Sequence, residues 1–234
     1  PMTDEIRKRF VIVADDYGIR QTAEPILRLV REGKIDRVAV LIHYVSAEQA
    51  AALLATGVKI DLHLELMDMI RSGKKVRESA LWRIMKFSLR LLVGRVTVRK
   101  AEEEWRSQIE RFRERFGRLP DGINSHEHVH FFPPFTKLFF RLAGEYGIGH
   151  VRFSTDGLML DRHVALVGKV LSFLRDRSLS RFDPSKTATS RYLVNLDWLP
   201  DFPAFVADLG SEENIELVVH PEREEEYRTL LDYF

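Results

Sequence analysis

The chain contains no cysteine. That excludes disulfides, thiolate metal sites and cysteine nucleophiles, and it permits a reducing compartment. No stretch approaches the ~20 uninterrupted apolar residues that a membrane span requires. Residues 1–10 lack the long apolar core of a secretory leader, so a cytoplasmic protein is expected. No repeat, low-complexity tract or Gly/Ser/Pro-rich linker breaks the 234 residues, and a single domain over 1–234 is expected. With 45% hydrophobic residues, 15 Phe and 3 Trp against 30% charged residues, the chain is too apolar to be disordered.

An overall charge of one sign is missing as well, since 36 Lys and Arg face 35 Asp and Glu. The balance conceals a segregation. Residues 71–100 hold ten basic side chains and one acid, Glu78, for a charge of +9, while the remainder carries −8.

Arg9-Phe10-Val11-Ile12-Val13-Ala14 is a β-branched apolar run ending at Asp15-Asp16-Tyr17-Gly18, as expected of a strand buried on both faces of a parallel sheet. A helical pattern follows with Ile26, Leu27, Val30 and Ile35, and with a stop at Gly33. Strands are expected at 37–42 and 58–64, with a helix at 47–55 between them. Trp105, Ile109, Phe112 and Phe116, spaced by 4, 3 and 4, predict a helix over 98–116. Further strands are expected at 122–125, 150–153, 192–196 and 215–219, with helices from Pro133 to about Tyr146 and over 160–175. The alternation predicts βαβ units and a parallel sheet, an α/β fold with a barrel favoured over an open sheet.

Asp15-Asp16, His63, His126 and His220 all fall at or just past the C-terminal ends of predicted strands, the face on which barrel sites are built. Singly, each has an ordinary role. An Asp pair caps a turn, a strand-end His hydrogen-bonds the core, and the His126, His128, His130 run sits in a solvated loop. Their joint placement points to a site. Two imidazoles and a carboxylate suit Zn²⁺ or a related divalent ion with open positions for water. A second carboxylate alongside suits hydrolysis, because it can take a proton from that water.

At these residues the sequence resembles the YdjC-like carbohydrate deacetylases, which include the chitooligosaccharide deacetylases. The matching pieces are Val13-Ala14-Asp15-Asp16-Tyr17-Gly18, Asp61-Leu62-His63-Leu64, Ser125-His126-Glu127-His128-Val129-His130 followed by Phe132-Pro133, and Val219-His220-Pro221. The resemblance implies a distorted (β/α) TIM-like barrel. It also implies a hydrolase that removes the acetyl group of an N-acetylated amino sugar with one divalent metal ion, Mg²⁺ or Zn²⁺. By motif, Asp16, His63 and His126 would be the ligands, Asp15 the general base and His220 the acid that protonates the departing amine. Tyr17, His128 and His130 would line or brace the site, so the strand should bend or end near Ser125. Arg152 is expected to orient Asp15, to bind substrate or to form a surface salt bridge. Asp61 departs from the family, which usually has a small residue there. The stretch after His220 is shorter than in relatives, so a rim element is expected to be simplified.

Residues 65–97 are expected to form a basic, lid-like insertion at the mouth. Within it Leu81–Val93 has helical spacing: Arg83, Lys86 and Arg90 make one stripe, and Leu81, Ile84, Met85, Leu89 and Leu92 an apolar face. Two uses fit, a lid packed on the barrel or a second subunit, and a helix lying on an anionic membrane. The second would make the protein membrane-peripheral and its substrate a lipid-linked amino sugar. No nucleic-acid motif accompanies the charges, and a homodimer stays open. The competing functions are another metal hydrolase such as a phosphoesterase, a non-haem iron oxygenase, and a non-catalytic membrane or partner-binding module centred on 71–100.

Overall fold

A computed structural model describes residues 2–19, 21–66, 96–160 and 166–234. The expected helix Leu81–Val93 and most of the basic stretch 71–100 lie outside the described residues. The elements in chain order are α1 (Asp4–Arg7), β1 (Phe10–Tyr17), α2 (Ala23–Arg31), β2 (Arg37–Val40), α3 (Ala47–Leu54), β3 (Lys59–Leu64), α4 (Val98–Phe116), β4 (Gly122–Ser125), a 3₁₀ turn (His126–Phe131), α5 (Pro133–Tyr146), β5 (Gly157–Leu158), α6 (Leu166–Ser178), β6 (Tyr192–Asn195), α7 (Phe202–Ala207), β7 (Ile215–Val219) and α8 (Glu224–Tyr233).

The seven strands are all parallel, in the order β4-β3-β2-β1-β7-β6-β5. They curl into a half-barrel flanked by helices, a TIM-like α/β fold. The central strands β1 and β7 are apolar because both of their faces are covered: Ile12, Val13 and Ala14 pair with Leu217, Val218 and Val219, and all six are buried. Among the described residues no helix is long and apolar enough to cross a membrane.

Helix α4 lies where the aromatic spacing predicts it. Trp105, Ile109 and Phe112 are fully buried and Phe116 nearly so, each contributing about 1.5–3 kcal/mol through the apolar surface removed from water. The Thr97 hydroxyl accepts the Lys100 N–H at the N-terminus of this helix, and a Ser46–Gln49 capping box starts α3. Helix α2 ends at the expected stop, with Glu32 as its C-cap and Gly33 next. Gly33 takes a left-handed φ of +73°, so Ile35 is buried from the loop that leads into β2 and not from the helix.

The expected strand at 150–153 is reduced to isolated bridges, Ile123 with Val151 and His150 with Ala188. The Thr189 hydroxyl accepts both the Phe153 and Ser154 N–H groups, and Ser154 has a φ of +69°. A side chain and a turn therefore replace the ladder. The chain then reappears beside β6, where the Asp156 N–H donates to the Arg191 carbonyl at 2.7 Å. The segment from Gly149 to Met159 thus reaches β4 through Ile123 at one end and β6 through Leu193 at the other. Helices α1, α7 and α8 are short, of four, six and ten residues, and give little periodicity to read.

Asp61 forms an ion pair with Arg37, its Oδ2 accepting from Nε at 2.9 Å. This is where the departure from the family goes. A Cβ on Gly122 would stand 2.7 Å from Asp61 Oδ1 and 2.8 Å from the Arg37 guanidinium, so a larger residue on β4 would displace the pair as it stands.

Candidate active site

The site begins with a bulge in β1. Ala14 is level with Val38 and Tyr17 with Val40, so three steps on β1 match two on β2. Asp16, in the bulge, has a φ of +64°. In a regular strand consecutive side chains point to opposite faces. The bulge and the left-handed residue instead bring Asp15 and Asp16 to the same mouth, beside the His63 Nε2 of β3. That nitrogen is 3.8 Å from Asp15 Oδ2 and 3.4 Å from Asp16 Oδ1.

Strand β4 ends at Ser125, as the motif requires, and His126 opens the 3₁₀ turn. Glu127 and His128 follow with φ values of 55° and 52°, so the three imidazoles do not share one face. His126 Nδ1 stands 3.2 Å from Asp16 Oδ1 and 3.3 Å from His63 Nε2. Ligand atoms of Asp16, His63 and His126 all lie within 4.8 Å of one another. His63 Nδ1 is hydrogen-bonded to Asn124 Oδ1, so Nδ1 carries a proton and Nε2 is the nitrogen that faces Asp16.

Asp15 is buried, and both its oxygens accept from Arg152, Oδ2 from Nη1 at 2.7 Å and Oδ1 from Nη2 at 2.8 Å. The Arg152 Nε donates to Glu216 Oε1 at 2.5 Å. Arg152 is itself fully buried, which rules out the surface salt bridge and leaves it holding Asp15. Burial alone would raise the Asp15 carboxyl, but the Arg152 guanidinium and His63 outweigh it and hold it at about 2. Burial likewise opposes ionisation of Asp16, and the His126 and His63 imidazoles override it, leaving the carboxyl well below its usual range. His126 is lowered by burial and raised by Asp16, with a net rise to about 9.

A YdjC-like protein family model matches residues 9–232. The chain belongs to the YdjC-like family. It is 29% identical over 153 residues to a carbohydrate deacetylase of Danio rerio, covering 62% of this chain and 49% of that protein. It is 26% identical over 157 residues to a chitooligosaccharide deacetylase of Escherichia fergusonii, covering 61% of this chain and 58% of the relative. The chain thus spans about half the length of the curated relatives it matches. A crystal structure of a candidate cellobiose-phosphate cleavage protein from Enterococcus faecalis V583 superposes with a TM-score of 0.56 at 17% identity, over 92% of this chain and 81% of that one, and shares its fold.

Within this YdjC-like fold the remaining motif residues separate into several uses. His130 is a brace: Ser125 Oγ lies 2.6 Å from its Nδ1, its ring stacks on Phe139, and burial drives its pKa well below the ordinary value. His128 stacks on Phe131 and lies 3.4 Å from the Asn195 amide; burial first, then Arg152, lowers it to about 3. The Tyr17 hydroxyl donates to the Gln49 carbonyl of α3 at 2.9 Å, which ties β1 to that helix. His220 leaves β7 within electrostatic reach of Asp15 and Asp16.

Sequence reasoning missed Asn124, Glu216, Glu65 and Glu226. Glu216 left a signal, a lone acid inside the apolar run Ile215-Glu216-Leu217-Val218-Val219. Glu65 is buried, neither of its oxygens is hydrogen-bonded among the described residues, and His43 Nε2 is 3.7 Å away. Burial pushes its carboxyl up to about 7.

Proposed function

We propose that this chain is a metal-dependent carbohydrate N-deacetylase, a hydrolase of the amide bond between an acetyl group and an amino sugar. The observation that carries the reading is the divided use of two adjacent carboxylates. Asp16 is turned toward two imidazoles, and Asp15 is held by a buried guanidinium at the same mouth. The carbohydrate and the acetyl group come from the names of the relatives, and the chemistry comes from the side chains.

The residues fit a divalent cation. Asp16 Oδ1 is buried and accepts no hydrogen bond among the described residues, although two imidazole nitrogens stand within 3.4 Å. A carboxylate so placed stays ionised only beside positive charge, which an imidazolium or a cation provides. One carboxylate oxygen and two imidazole nitrogens suit Zn²⁺ or Mg²⁺ and leave coordination positions open. Asp16, His63 and His126 would hold the ion, and Asn124 fixes the His63 tautomer. When bound, such an ion supplies Lewis acidity, polarising an acetamide carbonyl and acidifying a water molecule.

Asp15 is the base in this reading. Arg152 keeps it ionised throughout the neutral range and fixes the direction of its lone pairs, so the acceptor form is always present, with its basicity lowered by the same ion pair. His220, raised to about 9, is protonated at neutral pH and can donate to the departing amine nitrogen. His128 stays neutral and adds no competing positive charge beside Asp15.

Incubating the metal-loaded protein with N-acetylglucosamine oligomers and assaying acetate tests the proposal. Acetate release that chelator abolishes and metal restores is the expected result. Phosphate release from sugar phosphates without acetate release would move the reading to a phosphoesterase. A lipid-linked acceptor rests on the basic residues 71–100 and is tested separately. Partition into anionic but not neutral liposomes supports it, and no partition into either removes it.

A further inference from the structure

His220 is held from behind by the helix that follows it. Glu226 lies six residues on, in the first turn of α8, and is nine-tenths buried. Its Oε2 accepts the backbone N–H of His220 at 2.7 Å and stands 3.7 Å from the ring Nδ1. Its Oε1 accepts from Arg223 at 2.8 Å, and the same guanidinium nitrogen reaches Asp197 Oδ2 at 2.7 Å. The Arg223 N–H donates to the His220 carbonyl at 2.9 Å, closing the turn. Asp197, His220 and Glu226 bring ligand atoms within 4.8 Å of one another. Arg223 already bridges both carboxylates with its positive charge, which disfavours a second cation there.

We propose that Glu226 is a positioning residue for His220, turning Nδ1 toward α8 so that Nε2 faces the departing amine, with Arg223 setting how much of the Glu226 charge the imidazole feels. This rests on the deacetylase reading. In the step concerned the oxyanion of the tetrahedral adduct, formed after Asp15 has taken the water proton, re-forms the C=O bond as the C–N bond breaks and its electron pair goes to nitrogen. The nitrogen takes the Nε2 proton, and the carbon leaves as acetic acid. The neutral imidazole keeps its Nδ1 proton on the Glu226 side.

The charges facing His220 come from several elements. They are Glu226 on α8, Asp15 and Asp16 on β1, Glu222 and Arg223 in the turn, Asp197 after β6 and His128 after β4. Burial alone would lower the imidazole; Glu226 foremost, then Asp16 and Asp15, raises it.

The test uses two variants that break the same Arg223–Glu226 pair. Glu226→Gln keeps the size of the side chain and an acceptor for the His220 N–H but removes the charge. It is expected to move the alkaline limb of kcat/KM about 1 unit toward lower pH, with KM little changed. Arg223→Gln removes a positive charge and is expected to move that limb the other way. Damage to the fold would move both in the same direction. NMR titration of the His220 ring should show the same two signs without turnover. If wild type releases acetate and the Glu226→Gln limb coincides with it, or both variants shift alike, the positioning role is wrong and the deacetylase reading stands. If wild type releases no acetate, the reading and the role fall together.

Discussion

Arg152 and Asp15, 137 residues apart in sequence, meet as a buried bidentate pair, with guanidinium nitrogens 2.7 and 2.8 Å from the two carboxylate oxygens. The third donor direction of the same guanidinium goes to Glu216 on β7. One cation therefore sits between two buried acids and ties the end of β1 and the start of β7 to the segment that follows α5. Arg is suited to this because its planar fork matches a carboxylate while Nε remains free for a second partner.

Replacing Arg152 by Met leaves Asp15 and Glu216 buried without their cation. Breaking a buried ion pair from one side costs about 3–5 kcal/mol, so the urea midpoint should fall clearly while the variant still folds at low denaturant. An unchanged midpoint would show that this cation is not what holds the two acids.

Glu65 gives a pH dependence with a definite sign. Its folded pKa of about 7 lies above the ordinary carboxyl value of 4.5, so its stabilising contribution is complete below 4.5 and is lost as pH rises through 7. In metal-free protein, Glu65→Gln should therefore lose less stability than wild type between pH 5 and pH 8. Parallel stability curves for the two proteins would contradict the assignment.

The strands were legible because a strand covered on both faces must be apolar, as Phe10–Ala14 and Ile215–Val219 are. The candidate site was legible because polar residues that end such runs, Asp16, His63, His126 and His220, fall at the same end of parallel strands. What could not be read depends on backbone geometry and distant contacts. Nothing local announces that Asp16 adopts a positive φ, yet without it Asp15 and Asp16 would point apart. Glu226 is one of three consecutive glutamates, and only the start of α8 decides which of them faces His220.

Asn124 should control the metal through His63. With Asn124→Ala the His63 Nδ1–H loses its acceptor, the ring is free to rotate or change tautomer, and Zn²⁺ affinity should drop about 10–100-fold. Chelator competition measures this directly. The fold should persist, because Asn124 makes no other side-chain hydrogen bond among the described residues. An affinity equal to that of wild type would mean that His63 needs no such support.

Asp15→Asn separates the base from the ligands. The side chain keeps its size and one acceptor for Arg152, while Asp16, His63 and His126 are untouched, so bound Zn²⁺ measured by elemental analysis should match wild type. Turnover should fall by about 10²–10⁴-fold, the usual contribution of a general base. Each deviation has a distinct meaning. Full activity would show that the proton goes elsewhere. Loss of the metal would make Asp15 a ligand itself, a result its 3.8 Å approach to His63 Nε2 makes worth measuring. Loss of both with a lowered unfolding temperature would indicate that Arg152, left with only one acid, no longer holds the mouth together.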